Sequence, residues 1–177
     1  MIINRAWAMP NKDTFSIKPI AELIQKHIKD ENLVVADPFS NGKRWNKSTI
    51  TNDLDSNKKS DYQLDALDFL KKLKGSSIDV VLFDPPYSPR QVSEVYKKLG
   101  KSVNMQTTQS SYWGNMKKEI SRILKPKGIC LTFGWNSGGI GKKYGLDIEE
   151  ILMVAHGGWH NDTIATVDRK GHDLFDI

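Results

Sequence analysis

Apolar residues recur along this chain with two periods, and the switches between them mark its elements. From Lys18 to Asp30, Ile20, Leu23, Ile24, His27 and Ile28 fall on one helical stripe, with Pro19 suited to a first turn. LVVAD at 33–37, STITND at 48–53 and IDVVLFD at 78–84 are short runs rich in β-branched residues, as buried strands require. DALDFLKKLK at 65–74 is amphipathic, and SSYWGNMKKEISRILK at 110–125 reads as a further helix, ended by Pro126 and Gly128. GICLTFGW at 128–135, EEILMVAH at 149–156 and DTIATVDRK at 162–170 supply the remaining strands.

Strands alternating with helices imply an α/β chain with a mostly parallel, doubly wound sheet. Between His156 and Asp162 there is no room for a crossover helix, so the last two strands pair as an antiparallel hairpin. In such sheets ligands bind at the carboxyl ends of the strands, near the switch in strand order. Four successive strand-end regions place an acid there: Asp37, Asp53, Asp65 and Asp84. An acid at a strand end can simply cap the next helix. Asp84 fits that role least, because Asp84-Pro85-Pro86-Tyr87-Ser88-Pro89 holds three prolines, each pushing its predecessor out of the helical region. The expected result is a stiff extended loop offering a carboxylate and an aromatic ring together. The Asp84 carboxylate and the Pro85 carbonyl could accept both N–H bonds of an exocyclic amine, with Tyr87 stacked on the ring that carries it.

At 177 residues the chain is expected to form one domain, spanning 1–177, with a sizeable core. No apolar run approaches the ~20 residues of a membrane span. No signal core is evident, and the one cysteine, Cys130, cannot pair internally, so a cytoplasmic location is expected. Net charge is +5, and eight basic residues between Lys97 and Lys127 face a single acid, Glu119. Such a stretch suits a polyphosphate partner as readily as it suits solvated helix faces. His156 and His160 sit in the hairpin turn with no acid cluster beside them, so no metal site is read there.

IDVVLFDPPY resembles the DPPY catalytic motif of S-adenosylmethionine-dependent, amino-methylating DNA methyltransferases, above all those that make N6-methyladenine. The resemblance covers nearly the whole chain. MPNKDTFSIKPI at 9–20, which includes Pro10 and Phe15, is similar to the family's N-terminal cofactor segment. VVADPFSNG, carrying Asp37, Pro38, Phe39 and Ser40, resembles the motif that supports the methionine end. TNDLD resembles the ribose-binding motif and maps that role to Asp53, with Leu54 beside it; Asp65 and Ala66 match the segment contacting the cofactor adenine. HGGWHNDTIATVDRK resembles the final hairpin of small bacterial or phage members.

The resemblance implies a Rossmann-like methyltransferase sheet and S-adenosylmethionine as cofactor. It implies catalysis by Asp84, Pro85, Pro86 and Tyr87, and a substrate of DNA adenine, as in restriction-modification systems. Methylation of cytosine N4 or of RNA, and a non-catalytic partner subunit, are the alternatives. Two departures stand out. DPFSNG has Asn41 where the family usually has glycine, although Asn tolerates a left-handed backbone. No segment is long enough for a target-recognition region; only the loop from Pro89 to Trp113 is available to contact nucleic acid, through Arg90, Lys97, Lys101 and Tyr112, beside the base-stacking Tyr87 of the motif. Single-stranded substrates, a homodimer or a separate specificity subunit would each answer that shortage.

Overall fold

The computed structural model describes residues 1–86, 89–98 and 110–171. Its strands are β1 (Ile2–Trp7), β2 (Val35–Asp37), β3 (Thr49–Thr51), β4 (Ile78–Phe83), β5 (Leu124–Gly134), β6 (Leu146–Ala155) and β7 (Thr163–Lys170). Its helices are α1 (Lys18–His27), α2 (Ala66–Lys72), α3 (Pro89–Lys98) and α4 (Ser110–Ile123), with one-turn 3-10 helices at Thr14–Ser16 and Lys142–Tyr144. The strands form a seven-stranded sheet in the order β1-β6-β7-β5-β4-β2-β3. β7 is antiparallel to both its neighbours, and the other pairings are parallel. The reversed hairpin expected from the short 156–162 connection is therefore present, inserted so that β7 lies between β5 and β6.

Alternation along β4 divides the core. Val80 and Leu82 join Ile20, Leu23 and Ile24 of α1 on one face, together with Phe15, Leu131 and Phe133. Val81 and Phe83 turn to the other face, against Phe69 and Leu70 of α2 and Met116, Ile120 and Ile123 of α4. Most of these side chains are essentially shielded from water. Each contributes roughly 1.5–3 kcal/mol of transfer free energy, which makes the two layers the main source of stability. Cys130 belongs to the second layer, and burial pushes its thiol pKa far up, as suits an inert core residue.

Three elements differ from the sequence reading. β1 has no counterpart in it, because five of its six residues are exposed and the segment shows no buried face to generate a pattern. The loop expected from Pro89 to Trp113 contains α3, where Pro89 occupies the first helical position and Arg90 pairs with Glu94 one turn later at 2.8 Å. β5 begins at Leu124, before Pro126 and Gly128, with Lys127 in a left-handed conformation at the irregularity. Between β3 and α2 the chain makes one parallel bridge, Asn52 with Tyr62.

Candidate active site

A cleft of about 630 Å³ opens at the carboxyl ends of β2, β3 and β4. After β2, Asp37 Oδ1 accepts the Phe39 N–H at 3.0 Å, which turns the chain sharply. The turn continues through Asn41 (φ 49°) and Gly42 (φ 77°), both left-handed. The Asn substitution noted in the sequence thus keeps the turn, as expected of a residue that tolerates this region. A Cβ on Gly42 would stand 3.4 Å from the Lys59 carbonyl, so the position is closely packed as well.

β3 ends in Asn52, whose buried side chain ties three segments together. Its Nδ2 donates to the Pro38 and Leu64 carbonyls, each at 3.0 Å, and its Oδ1 accepts the Leu64 N–H at 3.0 Å. Asp53 follows and accepts the Asp55 N–H at 2.9 Å. Asp65 is the N-cap of α2, accepting the Leu67 N–H at 3.0 Å. Three of the four strand-end acids therefore make local backbone turns or caps, and Asp65 takes the capping role left open in the sequence.

The opposite walls come from elsewhere in the chain. Asp13 caps the 3-10 turn at Thr14–Ser16 and sets Phe15 edge-on to Trp45 and Phe133, at centroid distances of 5.9 and 4.9 Å. Lys43 donates to the Phe15 carbonyl at 3.2 Å and lies 4.4 Å over the Trp45 ring, so Trp45 serves as packing for this wall. Asp84, Pro85 and Pro86 follow β4 into the cleft, and Tyr112, Trp113 and Met116 reach it from α4. The Tyr112 hydroxyl stands 2.7 and 2.8 Å from the two carboxylate oxygens of Asp65.

Asp37 is the electrostatic extreme of the site. It has no exposed surface, and among the described residues its Oδ2 has no hydrogen-bond partner. Burial pushes its pKa well above the usual carboxylate value; the Phe39 N–H opposes the shift, and the charges of Asp84 and Asp53 add to it. A carboxyl in that state either holds a proton or needs a cation.

A second cleft of about 420 Å³ adjoins the first, sharing Lys12, Thr14 and Gln91 with it. Trp135 after β5 and Trp159 in the β6–β7 connection line it, together with His156, His160 and Asn161. Trp159 is fully exposed. The His156 Nδ1–H donates to the Ala8 carbonyl at 2.8 Å, and its Nε2 lies 2.8 Å from the Thr163 hydroxyl, so this histidine joins the end of β1 to the hairpin.

Of the residues singled out from the sequence, Phe15, Pro38, Phe39, Ser40, Asp53, Leu54, Ala66, Asp84, Pro85 and Pro86 share the first cleft. Pro10 lies on the second instead. Tyr87 and Lys101 fall outside the described residues. Arg90 and Lys97 are exposed, but Arg90 is paired with Glu94. Tyr112 lines the first cleft, with its hydroxyl turned onto Asp65. Half-burial of an aromatic at the start of a helix explains this: its ring packs in the α2–α4 layer and its polar end takes the nearest acceptor. Three members of the basic stretch are likewise engaged with the chain itself, while Lys97, Lys118 and Lys127 are exposed. Lys117 donates to the Gly139 carbonyl, Arg122 to the Leu70 and Leu73 carbonyls, and Lys125 to Asp79. Asn52 and the Trp135–Trp159 pair were not anticipated from the sequence. Asn52 showed only as part of a strand-end Asn-Asp, and an exposed tryptophan carries no periodic signal.

Among the described residues, no group of three or more His, Cys, Asp or Glu could hold a metal ion, and no helix is long and apolar enough to cross a membrane.

No family model and no curated protein matches the sequence. The fold does have close parallels among solved structures. The Escherichia coli protein yhhF, described as a methyltransferase, aligns at TM-score 0.57 with 10% identity over 93% of this chain and 92% of its own. The N-methyltransferase NodS from Bradyrhizobium japonicum aligns at TM-score 0.57 with 9% identity over 92% of this chain and 100% of its own. A Burkholderia thailandensis 1,6-didemethyltoxoflavin-N1-methyltransferase, solved with its substrate and S-adenosylhomocysteine, aligns at TM-score 0.55 with 10% identity over 87% and 77%. The sheet is thus the mostly parallel, Rossmann-like sheet with an antiparallel hairpin that these methyltransferases share.

Proposed function

We propose that this protein transfers a methyl group from S-adenosylmethionine to an exocyclic amine of a nucleic-acid base, adenine N6 of DNA in particular. The observation that carries the reading is the gathering of Asp84-Pro85-Pro86 with the β2, β3 and α2 residues around one cleft on a methyltransferase fold. The residues present fit the cofactor. The cleft sets the carboxylates of Asp53 and Asp84 beside apolar Phe39, Leu54 and Ala66, the donor set that an amino-acid and nucleoside moiety needs, while Asp37 lies fully buried beneath this rim and outside the lining. Pro38, Phe39 and Ser40 would hold the methionine end, Asp53 the ribose hydroxyls, and Leu54, Asp65 and Ala66 the adenine. When bound, S-adenosylmethionine supplies an electrophilic methyl on its sulfonium and departs as a neutral thioether.

The chain's own task is to present the amine. The Asp84 carboxylate accepts one N–H and the Pro85 carbonyl the other, which draws the nitrogen lone pair out of conjugation with the ring. The two prolines hold both acceptors in place before the substrate arrives, so little reorganisation remains. Tyr87, by its place in the motif, stacks the base. The alkylated nitrogen sheds a proton to the Asp84 oxygen already bonded to it, and from there the proton passes to solvent.

The second cleft suits the acceptor. Two exposed indoles beside a lysine and a histidine form a platform for unpaired bases, since stacking tolerates any base and is worth ~1–3 kcal/mol each. Single-stranded DNA is the favoured partner, because extruding a base from duplex costs a further few kcal/mol.

The test is a calorimetric titration with S-adenosylmethionine followed by tritiated-methyl transfer to unmodified single-stranded and duplex DNA and to RNA, with the product base read by mass spectrometry. N6-methyladenine in DNA is expected. N4-methylcytosine would overturn the adenine assignment, transfer to RNA alone would overturn the substrate class, and failure to bind the cofactor would overturn the reading itself.

A further inference from the structure

Lys12 stands at the junction of the two clefts and lines both. The chain on either side of it is fixed. Asn11 Oδ1 accepts the Asp13 N–H at 2.9 Å, a turn that spans Lys12, and Asp13 accepts the Phe15 N–H at 3.2 Å. Upstream, the Ala8 N–H donates to the Ala155 carbonyl at 3.1 Å and ties the segment to the end of β6. An exposed lysine is ordinarily a solvated surface charge. Lys12 is exposed too, but its stem is rooted in a fixed turn. Among the described residues its ammonium makes no hydrogen bond or ion pair.

The two clefts differ in charge. Asp13, Asp53, Asp55, Asp84 and Glu94 line the first, against Lys12 and Lys58. Among the described residues that line the second there is no acid, and Lys12 is the one lysine or arginine. A nucleotide joins an uncharged base to an anionic phosphate, and the two parts suit different surroundings. Like charge disfavours the phosphate in the first cleft, whereas a base with an amine to donate is accommodated there. The second cleft offers the reverse, with exposed indoles at Trp135 and Trp159 for a neighbouring base and a lysine for the phosphate.

We propose that Lys12 is a positioning residue for the acceptor strand: its ammonium holds the phosphate linking the target nucleotide, whose base enters the first cleft, to the neighbour whose base stacks in the second. The smallest unit this site recognises is then a dinucleotide, aligned by charge whatever its sequence. The inference rests on the acceptor reading given above and adds to it the path of the sugar–phosphate chain. Lys12 acts through the linkage, which sets how far the target base reaches toward Asp84.

The experiment measures dissociation constants, by fluorescence anisotropy, for short thymidine strands carrying one central adenine. In two of the strands a single phosphate, on the 5′ or on the 3′ side of that adenine, is replaced by an uncharged methylphosphonate. The proteins are the unaltered chain, Lys12→Gln, and Lys29→Gln, which removes the same charge from an exposed position that lines neither cleft. Thermal unfolding of each checks the fold. For the unaltered protein and Lys29→Gln, at least one replacement should weaken binding about two- to fivefold, the range of one exposed ion pair. Lys12→Gln should bind the fully charged strand weaker by the same factor and lose its sensitivity to that replacement. Its slope of log affinity against log salt should be shallower by about 0.7, one phosphate contact on a single strand. A Lys12→Gln protein still sensitive to the same replacement would overturn the proposal, since a merely structural change lowers affinity for charged and neutral linkages alike. An unaltered protein indifferent to both replacements would overturn it as well. Failure of the folded, unaltered protein to bind any of the strands would instead bring down the acceptor reading, and this inference with it.

Discussion

The Asn52 side chain pairs with the backbone of Leu64 as a neighbouring strand would, donating to its carbonyl and accepting from its N–H, both at 3.0 Å. A strand's worth of edge pairing is thus compressed into one amide group. The same amide also donates to the Pro38 carbonyl, so three of the segments lining the first cleft are registered to one another through a single buried residue.

Replacing that residue tests the arrangement. Asn52→Ala removes three hydrogen bonds and leaves buried backbone groups without partners, a loss of about 2–4 kcal/mol. Denaturant unfolding should show the lower midpoint, and cofactor affinity should fall with it.

Asp84→Ala separates orientation from binding. Methyl transfer is expected to fall by about 10²–10³ or more, as when a preorganised polar partner of the reacting group is removed. Affinity for S-adenosylmethionine should stay within a few-fold, as read by calorimetry. Activity that survives the change would refute the orienting role.

Trp159→Ala should leave the melting temperature unchanged, because the side chain is fully exposed and supports no core. Binding of a short single-stranded oligonucleotide, followed by fluorescence anisotropy, is expected to weaken about tenfold, the value of one stacked base.

Gly139→Ala should destabilise the fold by several kcal/mol. Gly139 has φ 51°, and a Cβ there would overlap the Asp168 carboxylate, which accepts the Ile140 and Gly141 N–H groups at 3.1 and 3.3 Å. The change combines left-handed strain with a collision against a buried, hydrogen-bonded acid.

The pH dependence of stability has one well-defined contributor. Glu150 is buried, yet its pKa is lowered: burial pushes it up, and hydrogen bonds from Lys26 and His27, with their charges, more than reverse this. A carboxylate depressed in the folded state contributes stability that is fully present above its unfolded value of about 4.5 and is lost as the pH falls through the folded value. Comparing thermal unfolding of the unaltered protein and Glu150→Gln at pH 7 and pH 3.5 should therefore show a gap that narrows at the acid pH. With Lys26 half-exposed, the gap is expected to be of the order of 1 kcal/mol.

The sheet was largely legible because buried strands announce themselves. The run 78–84 and the tight 156–162 connection are enough to imply a parallel core with a reversed hairpin. The cleft was legible for a related reason, since acids after apolar runs fall at one rim of such a sheet. What stayed hidden lacked periodicity. β1 turns no face to the core, α3 was masked by the proline that begins it, and the inward use of Lys117, Arg122 and Lys125 depends on which carbonyls lie within reach. The Tyr112–Asp65 contact was not foreseen, because a hydroxyl's nearest acceptor is a matter of tertiary distance.

The outermost strand has a consequence for how the chain assembles. Among the described residues β1 pairs with β6 alone, and the Asn4 side chain donates to Glu150, 146 positions further along the chain. During synthesis, at ~5–20 residues per second, the first strand emerges many seconds before its only neighbour exists. Contacts so distant in sequence close late and slow folding. Ile2 and Ile3 must wait unpaired until β6 has been made, and that interval is when aggregation or capture by a chaperone competes with completion of the sheet.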